Sequence, residues 1–308
     1  MKYFILVFSF LALNSLLFSC GNSTVNAPVS KLFPNKPDTT DLLELAVFLE
    51  PDQLDAIINE ETFLINGKKR YKGFIAVPQD QDDFRRDSLD EVYWPKTSVI
   101  EGDFRGASIR SGKCYAGNYR KSDFRAADVR WTVFDYSIMD SINFDQSRLF
   151  HVKVNHVPLS NSSFRGANMF GMEGHHTEMR NCDFSGALMK DSEFLKSDLT
   201  GSIGIKTKLF RAVLIESKLD SCDFSYADFT GAGLERSSFV NSRLHHTNFQ
   251  GSHLQGTNFS GADLKNCNFF GAALENTNFN NAINIPNEIK PFIDKNGFAT
   301  GVWQESRK

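Results

Sequence analysis

Seven histidines fall in two groups, His151, His156, His175 and His176, then His245, His246 and His253. Their spacing matches no usual zinc-ligand pattern, and only His156 and His176, twenty residues apart, are candidates for a shared surface ion. Five cysteines, Cys20, Cys114, Cys182, Cys222 and Cys267, would form a disulfide framework in an exported chain. Asp or Asn stands before many a Phe or Leu, as at Asp123, Asp183, Asp223, Asn258, Asp263 and Asn278. Paired carboxylates could do acid–base work, but residues recurring with the apolar position that follows them suit backbone-capping turns better. No nucleophile, base and oxyanion donors converge in the sequence. No catalytic residue, metal ligand or cofactor is therefore assigned, and a small-molecule substrate is not expected.

What positions these residues is a repeat. In "TNFSGADLKNCNFFGAALENTNF" a Phe or Leu recurs at every fifth place: Phe259, Leu264, Phe269, Leu274 and Phe279. An amphipathic helix repeats every 3.6 residues and a half-buried strand every two, so neither explains it. The frame runs unbroken from Val99 to Phe279, with Cys114, Gly174 and Gly204 as its departures from large apolar residues. Two places before each of these the side chain is mostly small, as at Ala107, Ser122, Ala167, Ser217 and Thr277. Sorted by twenty, one wall reads Phe104, Phe124, Phe144, Phe164 and Phe184; beyond residue 220, Phe229, Phe249 and Phe269 face Phe239, Phe259 and Phe279. Each coil thus tends to hold two facing aromatic and two aliphatic residues, which keeps the interior volume nearly constant. Gly204, Leu209, Leu214 and Leu219 form a coil with no aromatic. There the pattern predicts a small void or an inward-shifted Ile203, and the weakest layer.

The pattern A(D/N)LxX resembles the pentapeptide-repeat family; "GADLK" and "YADFT" match its consensus. The resemblance implies an all-β solenoid, a right-handed quadrilateral β-helix. Five-residue units turning through about ninety degrees give twenty-residue coils stacked at about 4.8 Å, so residues 96–283 make about nine coils and a rod roughly 43 Å long. Cys182 and Cys222 then lie two coils apart, about 9.6 Å, beyond disulfide reach. With Cys114 and Cys267 they read as buried small fillers.

A solenoid's open ends must be covered. Residues 40–95 read as a small α+β N-terminal cap: two short helices, with Thr40 as N-cap of the first and Pro51 starting the second, then a β-hairpin around Asn66-Gly67. Residues 284–308 read as a short helical C-terminal cap, with Phe292, Phe298 and Trp303 sealing the last coil.

The front end differs in kind. Lys2 precedes an apolar run from Phe4 to Leu13, of a length that suits a signal peptide and is too short to span a bilayer. Leu17, Ser19 and Cys20 resemble a bacterial lipoprotein box, although Phe18 is bulkier than the residue usual there. The resemblance implies a signal peptide over 1–19, lipidation of Cys20, and a polar, Pro-containing tether over 20–39. It further implies anchoring in the cell envelope without a transmembrane span, at the outer membrane.

The chain has 308 residues, 41% of them apolar and 23% charged, and a net charge of −3. This argues against a dedicated nucleic-acid binder. Function is expected on the outward faces. On one wall the positions after the core residue carry Phe150, Phe170, Phe210 and, further along, Phe270, a patch suited to a protein partner or self-association unless loops or the tether cover it. Arg105, Arg110, Arg120, Arg125 and Arg130 alternate with Asp103, Asp123 and Asp128, as solvated ion-pair ladders do. The leading expectation is a non-enzymatic, lipid-anchored scaffold; the alternatives are a DNA mimic that protects topoisomerases and a glycan-binding surface.

Overall fold

The computed structural model describes residues 62–65, 68–71 and 78–300. The signal segment, Cys20, the tether, the two helices expected over 40–61, and Trp303 lie outside the described residues. All described residues belong to the second of two compact units, Glu61–Lys308. The expected hairpin is present: β1 (Thr62–Ile65) and β2 (Lys68–Tyr71) pair antiparallel, with Ile65 opposite Lys68. Two residues, Asn-Gly, are left to connect them, the dipeptide best suited to a tight hairpin turn.

From Asp83 onward bridging residues pair in parallel with the residue twenty places later, except Ile138, whose counterpart Pro158 has no N–H to donate. Asp83↔Asp103, Ser88↔Ser108, Tyr93↔Lys113 and Ser98↔Asn118 start the four walls, and the pattern continues to Asp263↔Ile283. The ladder is closed by backbone bonds such as Phe104 N–H to Asp123 O at 2.8 Å and Asp123 N–H to Gly102 O at 2.9 Å. In each five-residue unit the large residue points to the axis and the one before it bridges and faces outward. The next two form the corner. The second corner residue is left-handed throughout, with φ +59° at Trp131, +61° at Tyr136 and +52° at His151.

The coil opens about residue 80, not 96. Phe84, Leu89 and Trp94 fill core positions and are buried, so residues 78–95, expected in the cap, form the first turn. Asp82 and Asp87 disguise it. They stand where small residues are the rule, and among the described residues no earlier turn stacks beneath them, since the bridges start at Asp83↔Asp103.

The axis is filled. Phe104 and Phe124 stack at 4.3 Å, Phe124 and Phe144 lie at 5.0 Å, and Phe164 and Phe184 stack at 5.2 Å. Beyond residue 220, Phe229 meets Phe239 edge-on at 5.8 Å and 86°, while Phe239 and Phe259 stack at 5.1 Å. Such pairs contribute about 0.5–1.5 kcal/mol beyond the area they bury.

The layer at Gly204 holds no void of the kind expected, and Ile203 is 43% exposed rather than shifted inward. The space is taken by Phe224 of the following turn: a Cβ on Gly204 would lie 2.0 Å from its Cε1. Gly174 is filled in the same way by Phe194, whose Cε1 would lie 2.5 Å away.

Small residues do more than let the corner close. Ser202 Oγ accepts Cys182 N–H at 3.0 Å and donates to Met179 O at 2.9 Å, bridging the corner of the turn before it. Ser137 bridges Gly117 N–H and Cys114 O, and Ser242 bridges Cys222 N–H and Leu219 O. Cys114, Cys182, Cys222 and Cys267 are buried and unbridged, with thiols pushed up to about 12 by burial.

At the far end a short 3-10 helix, Lys290–Phe292, turns the chain back antiparallel to the last coil, with Asn278 opposite Phe298. Phe298 is 39% exposed and Phe292 half-buried, so these two members of the expected aromatic seal do not bury against the last coil. Ile289 and Ala299 are the buried residues there. Phe279 N–H donates to Gly297 O at 2.8 Å, where Gly297 supplies a φ of +83°. No helix among the described residues is long and apolar enough to cross a membrane.

Candidate functional site

With the axis packed, the outer faces carry whatever chemistry the repeat unit performs. On the wall built on Val129, Leu149, Met169, Met189 and Leu209, the first corner positions bring Phe150 and Phe170 face to face at 4.9 Å and 8°. Lys190 Nζ lies 5.7 Å from the ring centres of both Phe170 and Phe210. The neighbouring corner column extends the ladder. Trp131 meets Phe150 edge-on at 5.7 Å under Arg130, and Arg211 caps Phe210 at 5.2 Å.

Phe150, Phe170 and Phe210 are therefore gathered into one aromatic and cationic strip, half-buried by their neighbours. Phe270, 41% exposed, is not part of it, because Thr230 and Gln250 occupy the two turns between. Trp131, 45% exposed, and the cations belong to the strip although the Phe column alone does not point to them. Asp128 accepts from Arg130, and Asp191 from Arg211 at 2.6 Å. The Arg211 guanidinium holds the Asp191 carboxyl below its ordinary range.

Arg85, Arg105, Arg110 and Arg125 of the first turns are paired. Arg105 and Arg125 each fork onto the Asp two places earlier, both at 2.6 Å, and Arg110 onto Asp90. Their hydrogen bonds are the main cause that raises the arginine pKa values and lowers that of Asp103. These are exposed ion pairs, individually worth about 0–1 kcal/mol.

A second feature, a groove, lies on the wall built on Phe134, Val154, Gly174, Phe194, Leu214 and Leu234. Its floor is the half-buried first corner column, Asp135, Asn155, His175, Leu195 and Ile215. Its rim is the exposed second column, Tyr136, His156, His176, Lys196, Glu216 and Arg236, and its volume is about 650 Å³. Tyr136, His156 and His176 stack in parallel at 5.0 and 5.1 Å. The two imidazoles that the sequence placed one coil apart thus lie flat against each other. Lys196 and Arg236 flank Glu216 at 3.7 and 2.5 Å. His175 Nδ1 in the floor, and Glu235 Oε2 and Gln255 Oε1 further along the same corner column beyond the groove, are buried side-chain atoms with no hydrogen-bond partner in the protein. The Tyr-His-His run recurs at twenty-residue spacing in the second corner column, a signal the sequence itself carries.

Family models for pentapeptide repeats match residues 175–203 and, as a pentapeptide repeat region, 212–283. No curated protein matches the chain. Among solved structures, HetL, a pentapeptide repeat protein involved in heterocyst differentiation regulation from the cyanobacterium Nostoc sp. strain PCC 7120, is 13% identical. It covers 61% of this chain and 90% of its own, with a TM-score of 0.29. Full-length QnrB1, a plasmid-mediated fluoroquinolone resistance protein, is 19% identical over 62% of this chain and 91% of its own, with a TM-score of 0.27. A pentapeptide repeat protein from the Arabidopsis thaliana thylakoid lumen is 20% identical over 38% and 83%, with a TM-score of 0.32. At these scores the superpositions add nothing to the fold, which stands on the twenty-residue bridges of this chain. Residues 175–203 and 212–283 are pentapeptide-repeat sequence, and one unbroken coil runs through both.

Proposed function

We propose that the protein is a non-enzymatic scaffold of the bacterial cell envelope, anchored at the outer membrane through lipidated Cys20, which presents the strip around Phe150, Phe170 and Phe210 to a protein partner. One observation carries the reading: the axis is filled by buried side chains from Phe84 to Phe279, so the repeat unit has its outer faces to offer and these are rigid. The strip mixes exposed aromatic surface with Arg130, Arg148, Lys190, Lys208 and Arg211 against Asp128 and Asp191. It suits an acidic partner surface with apolar anchors. The forked Arg–Asp pairs of the first turns leave no continuous acidic stripe there, which weighs against DNA mimicry.

Two experiments test this. Cys20→Ser should move the protein from the membrane to the soluble fraction and abolish fatty-acid labelling; unchanged membrane association would remove the anchor from the reading. Capture from envelope membranes should recover a protein with wild-type bait and lose it with Phe150→Ser plus Phe170→Ser. Equal recovery with both baits would remove the strip.

A further inference from the structure

The groove on the Phe134 wall has a chemistry of its own, and we propose that it binds a neutral, β-linked oligosaccharide of N-acetylated hexosamines laid along the stack of turns. Its form sets the ligand's form: the floor column runs over successive turns from Asp135 to Ile215, which suits an extended chain rather than a compact molecule. Neighbouring turns present their rim rings at 5.0 and 5.1 Å, a repeat commensurate with one pyranose per turn.

The floor is divided. Asp135, Asn155 and His175 already bond along the floor, Asn155 Nδ2 to Asp135 Oδ1 at 3.1 Å and His175 N–H to Asn155 Oδ1 at 2.9 Å, which leaves Asp135 Oδ2 and the second Asn155 amide hydrogen to meet hydroxyl groups. Leu195 and Ile215 form an apolar bed for acetamido methyl groups and sugar C–H faces.

Charge narrows the class. Lys196 and Arg236 are matched against Glu216 between them, and Asp135 adds a negative charge, so the lining offers no net positive field for a phosphate or a uronate. An extended peptide is disfavoured as well. The outward-facing backbone of these turns is committed to the ladder between coils, as in His156 N–H to His175 O at 2.9 Å, so no strand edge is open along the groove. The rigid coil is pre-organised and loses little freedom on binding.

The test is a calorimetric titration of the full chain carrying Cys20→Ser with chitohexaose and, separately, cellohexaose, which lacks the acetamido groups. Chitohexaose should bind with Kd about 0.1–1 mM and cellohexaose at least about fivefold more weakly. Tyr136→Asn with His176→Asn keeps residues that tolerate the left-handed corner and should weaken chitohexaose about tenfold. Arg180→Ala, which lies on another wall, should leave it unchanged. Circular dichroism checks that each variant is folded. No heat with chitohexaose up to about 10 mM, equal affinity for cellohexaose, or full binding by the double variant would each overturn the proposal. None of these outcomes depends on the Cys20 anchor or the Phe150 strip.

Discussion

Replacing Gly204 by Ala tests how the one coil without an inward aromatic of its own is filled. The new Cβ would lie 2.0, 2.2 and 2.9 Å from Cε1, Cδ1 and Cζ of Phe224, where ordinary contact begins near 3.4 Å. The ring would have to withdraw by more than an ångström, and it is already held edge-on against Phe229 at 5.6 Å. Overpacking of this kind costs about 1–3 kcal/mol. The backbone does not object, since Gly204 lies outside the left-handed region. Taken alone, Gly→Ala at a compatible position stabilises by about 0.4–1 kcal/mol through the unfolded chain. The effect should therefore change sign with the background. In the wild type Gly204→Ala destabilises; in Phe224→Ala, itself costing about 3–5 kcal/mol, the same change becomes neutral or stabilising. Urea midpoints followed by circular dichroism measure both legs of the cycle. Hydrogen exchange at amides of this turn reports the local effect if the array does not unfold in one step. A cost within about 0.5 kcal/mol of zero in the wild type, or equal costs in the two backgrounds, would refute the account of Phe224 as the filler.

Three further expectations follow from the packing. Ser202→Ala removes a hydroxyl that bridges Cys182 N–H and Met179 O, and leaving buried partners unmatched should cost about 1–3 kcal/mol in urea unfolding. Ser147→Ala, whose hydroxyl bonds within its own turn to Phe144 O, should cost less. The four cysteines of the coil, with thiols pushed up to about 12, should resist iodoacetamide at pH 8 in the native protein and react fully in denaturant, read by intact mass. Asp103 and Asp191 sit below the ordinary carboxyl value of 3.8, each chiefly through a hydrogen bond from its arginine. Their contribution is present above that value and lost as pH falls through the lowered one, so the melting temperature should drop below about pH 4, less steeply in Arg105→Gln.

The core was legible in the sequence because the five-residue frame is a packing rule. A large residue must reach the axis from every wall, so periodicity alone finds Phe104 to Phe184 and the quarter-turn shift to Phe229 and Phe239. Where the rule is relaxed the reading failed. At the first turn Asp82 and Asp87 stand where small residues are expected, which makes residues 80–95 resemble cap rather than coil. At Gly204 the sequence shows a missing side chain, but that a ring twenty residues on leans back to replace it is a matter of three dimensions. The hydroxyl bridges were hidden for another reason: Ser and Ala satisfy the same steric demand, and what distinguishes them is that Ser202 Oγ pairs Cys182 N–H and Met179 O, groups that lie far off in sequence.

The outer faces obey a weaker rule, and that is what makes them informative. A left-handed corner is occupied at little cost by Gly or Asn, while a bulky side chain there is strained by about 1–2 kcal/mol. Trp131, Tyr136, His156, His176, Tyr226 and His246 all hold such corners, and each stacks or meets a ring on a neighbouring turn. The coil would fold with Gly in their place, as it does at Gly166, Gly231 and Gly251. The ring contacts offset part of the strain without explaining why rings were chosen, since Gly incurs none. Strain alone does not single out rings, since Lys121, Ser141 and Gln146 hold the same kind of corner; what sets the aromatic corners apart is where they stand, two of the runs bordering the strip around Phe150 and the groove beside His175.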